Sequence, residues 1–231
     1  MEKSYSIAFV TYAIHCGGME TFLIRLARYL KKEGFEVVIV TTESPGEWFG
    51  LVKKMGINIK HIEGIDRYAR IFHFFKVYRE LKKGDYDVIF LNHARFAQAI
   101  IRMLPDKLPI VPILHNDHKW IYKIGCSSSD AWNMLIAVSP KLLENARSVV
   151  KNRPIKLISY GVEIPDNALQ IIKSKIDKPF NLVYIGHLVN AQKGILLLPY
   201  IFRLLINNGV EFNASIVGDG PDKIKLYNLL K

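Results

Sequence analysis

The chain has 231 residues, of which 50% are hydrophobic and 23% charged, and its formal net charge is +11. This composition excludes a disordered or low-complexity chain and predicts a globular protein with one large core or one and a half ordinary domains. The charge indicates an anionic partner, either nucleic acid, a membrane surface or a phosphorylated small molecule. Cys16 and Cys126 lie far apart, so neither a disulfide framework nor a zinc site is indicated, and a reducing cytoplasm is expected.

Short runs rich in valine and isoleucine alternate along the chain with segments of helical periodicity. Strands are predicted at SIAFVTY, EVVIVTT, NIKHI, DVIFLN, PIVPIL, MLIAVS, IKLIS, NLVYIG and FNASIVG. Helices are predicted at residues 21–32, 68–83, 96–104 and 140–150. This alternation predicts an α/β fold with a doubly wound parallel sheet and helices on both faces.

Residues 161–179, GVEIPDNALQIIKSKIDKP, contain no strand signal and are rich in proline and other turn residues. The strand pattern then restarts. We therefore predict a complete α/β domain over residues 1–165 and the opening β-α-β-α of a second, Rossmann-like domain over residues 166–231. The second piece has only two strands, fewer than a sheet of ordinary size.

Two glycines, Gly17 and Gly18, follow the first predicted strand. Ligands bind at the carboxyl ends of parallel strands, and a glycine pair there lets a helix N-terminus approach an anion. A plain strand-to-helix turn explains the pair equally well. A dinucleotide site is disfavoured although Glu43 ends the second strand, because the G-x-G-x-x-G spacing is absent and Glu20 puts a carboxylate in the first helical turn.

Histidines follow two other strands. His115 stands after the fifth strand, with Asp117 and His118 close behind. These residue types can bind a metal, but the spacing supplies no third ligand, so a single histidine that donates to a substrate hydroxyl or phosphate is favoured. His93 ends the fourth strand and is a second candidate, although a structural histidine is equally plausible there. His15 remains open between the same two roles.

The second domain carries two glycine turns that suit phosphates. Gly186 and His187 end its first strand, and Lys193 and Gly194 precede a predicted long helix, where a cation and backbone N–H groups suit a diphosphate. Its second strand feeds a further turn made of Gly218, Asp219, Gly220 and Pro221.

Taken in order, these motifs resemble the retaining glycosyltransferases of family 4, which have the GT-B fold. The resemblance rests on GGMET, LH, IAVSP, ISYGVEIP, LVYIGHLVNAQKGILLL and SIVGDGP. It implies transfer of a sugar from a nucleotide-sugar donor to a glycan or lipid-linked acceptor, with retention of configuration and without a metal or other cofactor. It also implies that the first domain binds the acceptor and the second binds the donor.

The resemblance implies roles for individual residues. His115 is expected beside the reacting sugar as a catalytic residue, with Glu20 and His93 on the acceptor side. The donor diphosphate is expected to meet Gly17, Gly18, Gly186, His187, Lys193 and Gly194. The donor nucleotide is expected near Gly218, Asp219 and Gly220.

The sequence departs from the family at three positions. His187 stands where arginine is common, Tyr160 where asparagine is usual and Glu163 where aspartate is usual. The family also continues beyond the last turn with strands and a pair of glutamates that hold the donor. This chain is therefore expected to be part of such an enzyme, through truncation or through a split in which a second chain supplies the missing donor half. The alternative is a non-catalytic module that binds an acceptor glycan or a partner chain.

Residues 67–83, RYARIFHFFKVYRELKK, predict a basic amphipathic helix. One face carries Tyr68, Ile71, Phe72, Phe75 and Tyr78. The other face carries mainly Arg67, Arg70, Lys76, Arg79 and Lys83. Packing of the apolar face on the sheet is favoured, and peripheral contact with an anionic membrane at its inner face is the alternative. A nucleic-acid partner is not expected, because no recognised binding module occurs in the sequence.

Overall fold

The computed structural model describes residues 4–64, 70–162, 164 and 178–231. These residues divide into two compact units, Met1–Val162 and Glu163–Lys231. The domain boundary predicted between residues 165 and 166 falls outside the described residues.

The described part of the first unit contains one seven-stranded sheet. Its strands are β1 (Ser6–Thr11), β2 (Glu36–Thr41), β3 (Asn58–His61), β4 (Val88–Asn92), β5 (Ile110–Leu114), β6 (Leu135–Ala137) and β7 (Ile155–Leu157). Their order is β3-β2-β1-β4-β5-β6-β7, and every neighbouring pair is parallel. The predicted doubly wound sheet is confirmed, and all seven carboxyl ends meet at one edge, where ligands of such sheets bind.

The helices of this unit are α1 (Gly18–Lys32), α2 (Phe49–Lys54), α3 (Arg70–Lys83), α4 (Arg95–Ile100), α5 (Lys119–Gly125) and α6 (Pro140–Val149). They cover both faces of the sheet, which is why β1 and β5 are apolar and buried along almost their whole length. At α6 the Ser139 hydroxyl accepts a hydrogen bond from the Leu142 amide at 3.3 Å, and Pro140 occupies the first turn.

Helix α3 packs on the sheet through a different stripe from the one predicted. Its buried residues are His73, Val77 and Leu81, whereas Ile71 and Phe72 are 64% and 62% exposed. Phe75 is also exposed and Tyr78 is half-buried, while the side chain of Tyr68 lies outside the described residues.

The prediction for α3 is wrong because its sequence offers two apolar stripes of similar strength. The stripe that contains His73 is favoured by a polar contact, since the Nε2 of this residue lies 2.5 Å from the carbonyl oxygen of Thr42. A buried carbonyl gains a partner in this register, and a purely apolar stripe cannot supply one. Apolar periodicity alone could not reveal that contact.

The second unit contains β8 (Phe180–Ile185), α7 (Asn190–Lys193), α8 (Leu198–Asn207), β9 (Phe212–Val217) and α9 (Lys223–Leu230). Strands β8 and β9 are parallel neighbours. The helices cover one face of this pair around Leu188, Ile195 and Leu226. On the other face Ile185 is 77% exposed beside Val217, so an apolar sheet surface stands open to solvent. In the described part of the chain, no helix combines the length and hydropathy required to cross a bilayer.

Candidate functional site

His115 lies directly after β5 and has a hydrogen-bond partner at each ring nitrogen. Its Nε2 lies 2.7 Å from the Asn92 side-chain oxygen, and its Nδ1 lies 2.6 Å from the Tyr160 hydroxyl. The Asn92 amide nitrogen faces the carbonyl oxygens of Val10 and Phe90 at 3.5 and 3.4 Å, which leaves its oxygen toward the histidine. This network assigns the proton to Nε2, so Nδ1 accepts from the tyrosine.

His115 and His93 are both held in the neutral form. Burial, with a further contribution from His93, lowers the pKa of His115 to about 3. Burial alone lowers the pKa of His93 to about 4. Because neither imidazole is charged at neutral pH, the pair suits uncharged polar groups such as hydroxyls better than it suits phosphates.

His93 has the features of a functional residue rather than a simple core residue. It follows β4 in a left-handed backbone conformation with φ of 54°, which is uncommon for a residue other than glycine. Its ring meets those of His115 and Trp120 edge-on, with centroids 5.3 and 5.9 Å apart. Its buried Nε2 has no hydrogen-bond partner among the described residues. A strained residue with an unpaired buried nitrogen favours a binding role.

Aromatic rings continue from this pair along the carboxyl edge of the sheet. Phe22 of α1 stacks on Tyr160, with centroids 4.5 Å apart, and lies 5.6 Å from the ring of His115. Trp120 and Tyr160 are both exposed. We call this set the aromatic row; it consists of Phe22, Tyr160, His115, His93 and Trp120. The exposed rings of Tyr160 and Trp120 flank two central imidazoles; His115 is hydrogen-bonded, whereas His93 has an Nε2 without a partner among the described residues.

Glu20 places a carboxyl group at the same edge. It lies in the first turn of α1 and is only 4% exposed. Burial raises the pKa of its carboxyl group, while its own backbone N–H, the nearby His15 and the Tyr12 hydroxyl, which donates to it, oppose that rise. The Glu20 charge adds to burial in raising the pKa of Tyr160 to about 12. The carboxylate therefore lies within electrostatic range of the aromatic row.

Gly17 and Gly18 have different structural roles although they are adjacent. Gly17 is the extended N-cap residue of α1, and a Cβ atom there would collide with a carboxylate oxygen of Glu20. Gly18 is the first helical residue and has open space around it. Only the first glycine is required for the buried carboxylate to fold back under the loop.

The free energy of unfolding of the Gly17→Ala variant is therefore expected to be about 1–3 kcal/mol lower than that of the wild type, because the added Cβ atom displaces the buried Glu20 side chain. The Gly18→Ala variant is its matched control and is expected to be neutral or stabilised by up to about 1 kcal/mol, since alanine favours helix. Urea titrations of both variants measure the difference. Equal free energies of unfolding would contradict this role for Gly17.

The residues behind His115 stabilise their own loop. Asp117 forms an ion pair with Lys141 at 2.6 Å and accepts from Asn145 at 2.9 Å, and these partners hold the pKa of its carboxyl below the usual range. His118 caps α5 by accepting from the Trp120 amide at 3.4 Å. Within the described ranges, no cluster of three or more histidine, cysteine or acidic residues could hold a metal ion.

Glu43, considered for a ribose contact, is also engaged. The Arg95 side chain donates to both carboxylate oxygens, at 2.9 and 2.7 Å. This bidentate pair satisfies the carboxylate without a ligand. The Arg95–Glu43 pair therefore agrees with the prediction that this edge of the sheet is not a dinucleotide site.

Sequence reasoning missed Asn92, Phe22 and Trp120 as components of the site. Asn92 carried a usable signal, because it is a polar residue at the end of the apolar run VIFLN and is fully buried. A buried polar side chain at a carboxyl strand end requires a partner, and here that partner is the candidate catalytic histidine. Phe22 and Trp120 carried no signal that separates them from ordinary helix residues.

In the second unit, the loops that follow β8 and β9 pack directly on each other. The Leu188 amide donates to the Asp219 carbonyl at 2.9 Å, and the Asp222 amide donates to the Leu188 carbonyl at 3.0 Å. A Cβ atom on Gly218 would collide with the backbone of Gly186, and one on Gly220 would lie 2.5 Å from the Leu188 carbonyl oxygen. These glycines bring the two predicted phosphate loops into contact.

Lys193 and Gly194 do not lie directly at the start of the long helix, where the sequence predicted them. Lys193 is the exposed last residue of α7, and Gly194 ends that helix with φ of 63°. A 3-10 turn over Ile195–Leu197 then separates Gly194 from α8. The structure therefore places the lysine at the end of the short helix α7, which follows the β8 loop. The long helix α8 begins only four residues after Gly194.

Comparisons with known proteins identify relatives of the chain. A family model described as Glycosyltransferase Family 4 matches residues 16–164. A comparison with the curated proteins gives no match. Among solved structures, the chain is similar to a glycosyltransferase from Rickettsia africae ESF-5, with 16% identity and a TM-score of 0.67 over 99% of this chain.

Two further structures share the fold. Anabaena HepE, in complex with UDP and glucose, has 15% identity and a TM-score of 0.68, and the match covers 97% of this chain. TarM of S. aureus, in complex with Fondaparinux, alpha-GlcNAc-glycerol and UDP, has 10% identity and a TM-score of 0.71 over 98% of this chain and 74% of its own. The chain spans 64% of the length of the Rickettsia and Anabaena proteins.

Proposed function

The chain belongs to glycosyltransferase family 4, and from that membership we propose that it is part of an enzyme that transfers a sugar from a nucleotide-sugar donor to an acceptor. The observation that carries the proposal is the neutral His115, held by two hydrogen bonds at the carboxyl edge of the sheet. The UDP in the HepE and TarM structures supports a nucleoside diphosphate as the leaving group. Retention of configuration and independence from a metal are part of the same proposal.

In the first unit, His115 is proposed to lie beside the reacting sugar. A neutral imidazole does not attract free anions, and a sugar hydroxyl that displaces the Tyr160 hydroxyl can donate to its Nδ1. Glu20 and His93 are assigned to the acceptor side, where a carboxylate and an unpaired ring nitrogen supply further polar contacts. The loop of Gly17 and Gly18 is proposed to approach the donor diphosphate or the acceptor.

In the second unit, the β8 and β9 loops are proposed to hold the donor. The diphosphate becomes more negative as the sugar leaves, so a fixed cation and backbone N–H groups stabilise the transition state. Lys193 supplies the cation, and its exposed side chain leaves it accessible to a ligand. The loop contacts of Gly186, His187 and Gly194 complete the diphosphate site, and the nucleotide is assigned to Gly218, Asp219 and Gly220.

The test is release of a nucleoside diphosphate by the native protein purified from its source. A panel of nucleotide sugars is combined with glycan and lipid-linked acceptors, and the nucleoside diphosphate is measured in a coupled assay. Release that depends on one donor and one acceptor supports the transferase. No release from any combination contradicts it, and binding of a glycan without turnover supports the non-catalytic module instead.

The exposed face of α3 supports a lipid-linked acceptor. Phe72 and Phe75 lie on the solvent side, and Lys76, Arg79 and Lys83 share that side at helical spacing. Exposed aromatic rings between cations are typical of helices that lie in the interface of an anionic membrane. We therefore propose peripheral contact between α3 and anionic lipid, which would bring the acceptor domain to a membrane-bound substrate.

The wild-type protein is expected to sediment with vesicles that contain anionic lipid at low salt and to be released at high salt. The Phe72→Ser/Phe75→Ser variant is expected to bind about tenfold or more weakly. In the membrane-bound state the two rings would insert among the lipids and contribute most of the hydrophobic part of the binding free energy. The Leu51→Ser/Met55→Ser variant alters two exposed apolar residues, one in α2 and one at its C-cap, and is expected to bind like the wild type. Equal binding by all three proteins, or no binding by the wild type, would contradict membrane contact through α3.

The open sheet face of the second unit supports further polypeptide at that surface. Val183, Ile185 and Val217 are exposed there, whereas sheets of this class are covered on both faces. We propose that additional polypeptide, in the same chain or in a second chain, covers this face and completes the donor site. The mass of the native protein and of its complexes tests this proposal: a species no larger than the 231-residue chain would contradict it.

A further inference from the structure

The hydroxyl of Tyr160 lies 2.6 Å from Nδ1 of His115, although the two residues are 45 positions apart in sequence. We propose that Tyr160 is a positioning residue for His115: with Asn92 it holds the imidazole in one orientation and one tautomer, and it covers the nitrogen that a substrate would reach. The importance of this arrangement for sugar transfer rests on the proposed function. The arrangement itself does not depend on that function.

The direction of each hydrogen bond follows from Asn92. This side chain is fully buried, and its amide nitrogen faces two backbone carbonyl oxygens, so only its oxygen is available to His115. The oxygen can only accept, which requires the proton on Nε2. Nδ1 then has a lone pair, and the Tyr160 hydroxyl must donate to it.

Tyr160 is itself held in place by two neighbours. Phe22 stacks on its ring at 4.5 Å with an interplanar angle of 27°, which fixes the ring plane. Burial, together with the negative charge of Glu20, raises the pKa of Tyr160 and disfavours loss of its phenolic proton. The hydroxyl therefore keeps the hydrogen that it donates to His115.

The arrangement has a consequence for what the site can accept. Asn92 and Tyr160 occupy both nitrogens of His115, and Tyr160, at 39% exposure, is the more accessible of the two partners. A ligand group that reaches Nδ1 must displace the tyrosine hydroxyl and must itself donate a hydrogen. A hydroxyl group meets that requirement, whereas a fully ionised phosphate oxygen does not.

The experiment follows the ring nitrogens of His115 by ¹⁵N NMR in the whole chain labelled at histidine, without any substrate. The His115→Gln variant identifies the His115 signals by their loss. In the wild type we expect a protonated Nε2 and a hydrogen-bonded, unprotonated Nδ1 at neutral pH. Among the described residues, the titratable or polar groups that face this ring are His93, Asn92 and Tyr160, with Glu20 acting through Tyr160.

The Tyr160→Phe variant keeps the ring and removes only the hydroxyl, so it is expected to fold. Its Nδ1 resonance should move downfield, toward that of an imidazole nitrogen without a donor. The protonated fraction of His115 at a given mildly acidic pH should rise about tenfold, because the bond that stabilises the neutral form is lost. The matched control is Tyr122→Phe, whose hydroxyl donates to Asp117 at 2.8 Å and should leave the His115 signals unchanged.

If Tyr160→Phe lowers stability but leaves the Nδ1 resonance and the protonation of His115 unchanged, the positioning role is wrong and the tyrosine is only a packing residue. A proton found on Nδ1 in the wild type would also overturn it. These outcomes are independent of nucleoside diphosphate release, so failure of the proposed function and failure of this inference are distinguishable.

Discussion

Replacing His115 by alanine is expected to lower the kcat/KM for nucleoside diphosphate release by about two to three orders of magnitude. The imidazole is neutral, fixed by two hydrogen bonds and located at the carboxyl edge, where parallel sheets generally bind ligands. Fixed polar groups at a reacting centre typically contribute an effect of this size. The measurement is the coupled assay on the native protein, with the donor and acceptor that the panel identifies.

Two variants separate chemistry from folding in this experiment. The alanine substitution leaves the buried Asn92 oxygen without its partner and is expected to cost about 1–3 kcal/mol of stability. The His115→Gln variant retains an N–H donor and should fold better, yet it should remain similarly inactive. His118→Ala, at the exposed cap of α5, should retain near wild-type activity. Near wild-type activity in both His115 variants would contradict a catalytic role.

The Gly218→Ala variant is expected to destabilise the second unit by about 3 kcal/mol or more and to expose the strands of its sheet. A Cβ atom at this position collides with backbone atoms of Gly186, and backbone cannot move aside as a flexible side chain does. The unit has a small core around Leu188, Ile195 and Leu226, so a loss of this size should unfold it. Hydrogen exchange of the β8 and β9 amides measures the effect.

The matched control is Gly209→Ala in the same unit. Gly209 also has a positive φ, of 68°, but has no atom within 4 Å of an added Cβ. Its substitution should cost only about 1–2 kcal/mol of backbone strain. Similar exchange rates in the two variants would mean that close loop approach is unimportant, and wild-type exchange in Gly218→Ala would contradict the contact outright.

The position of His115 could be predicted from sequence, but its partners could not. A run such as PIVPIL identifies a buried strand, and the first polar residue after it must lie at the sheet edge. Tyr160 follows β7, the last strand of the sheet, and the sequence does not encode its distance from the residue after β5. The sequence marked Tyr160 only as a departure from the family, and the structure shows it bonded to His115.

The sequence by itself determined the strands, most of the longer helices, the parallel arrangement of the strands and the strand ends at which polar residues gather, because periodicity and glycine placement are local properties. Tertiary structure alone decided which stripe of α3 is buried, which nitrogen of His115 carries the proton and which glycines must lack a side chain. Each of these depends on a single atom from a distant segment: the Thr42 carbonyl, the Asn92 oxygen and the Gly186 backbone. Local periodicity carries no record of such contacts, since they form only when the chain is packed.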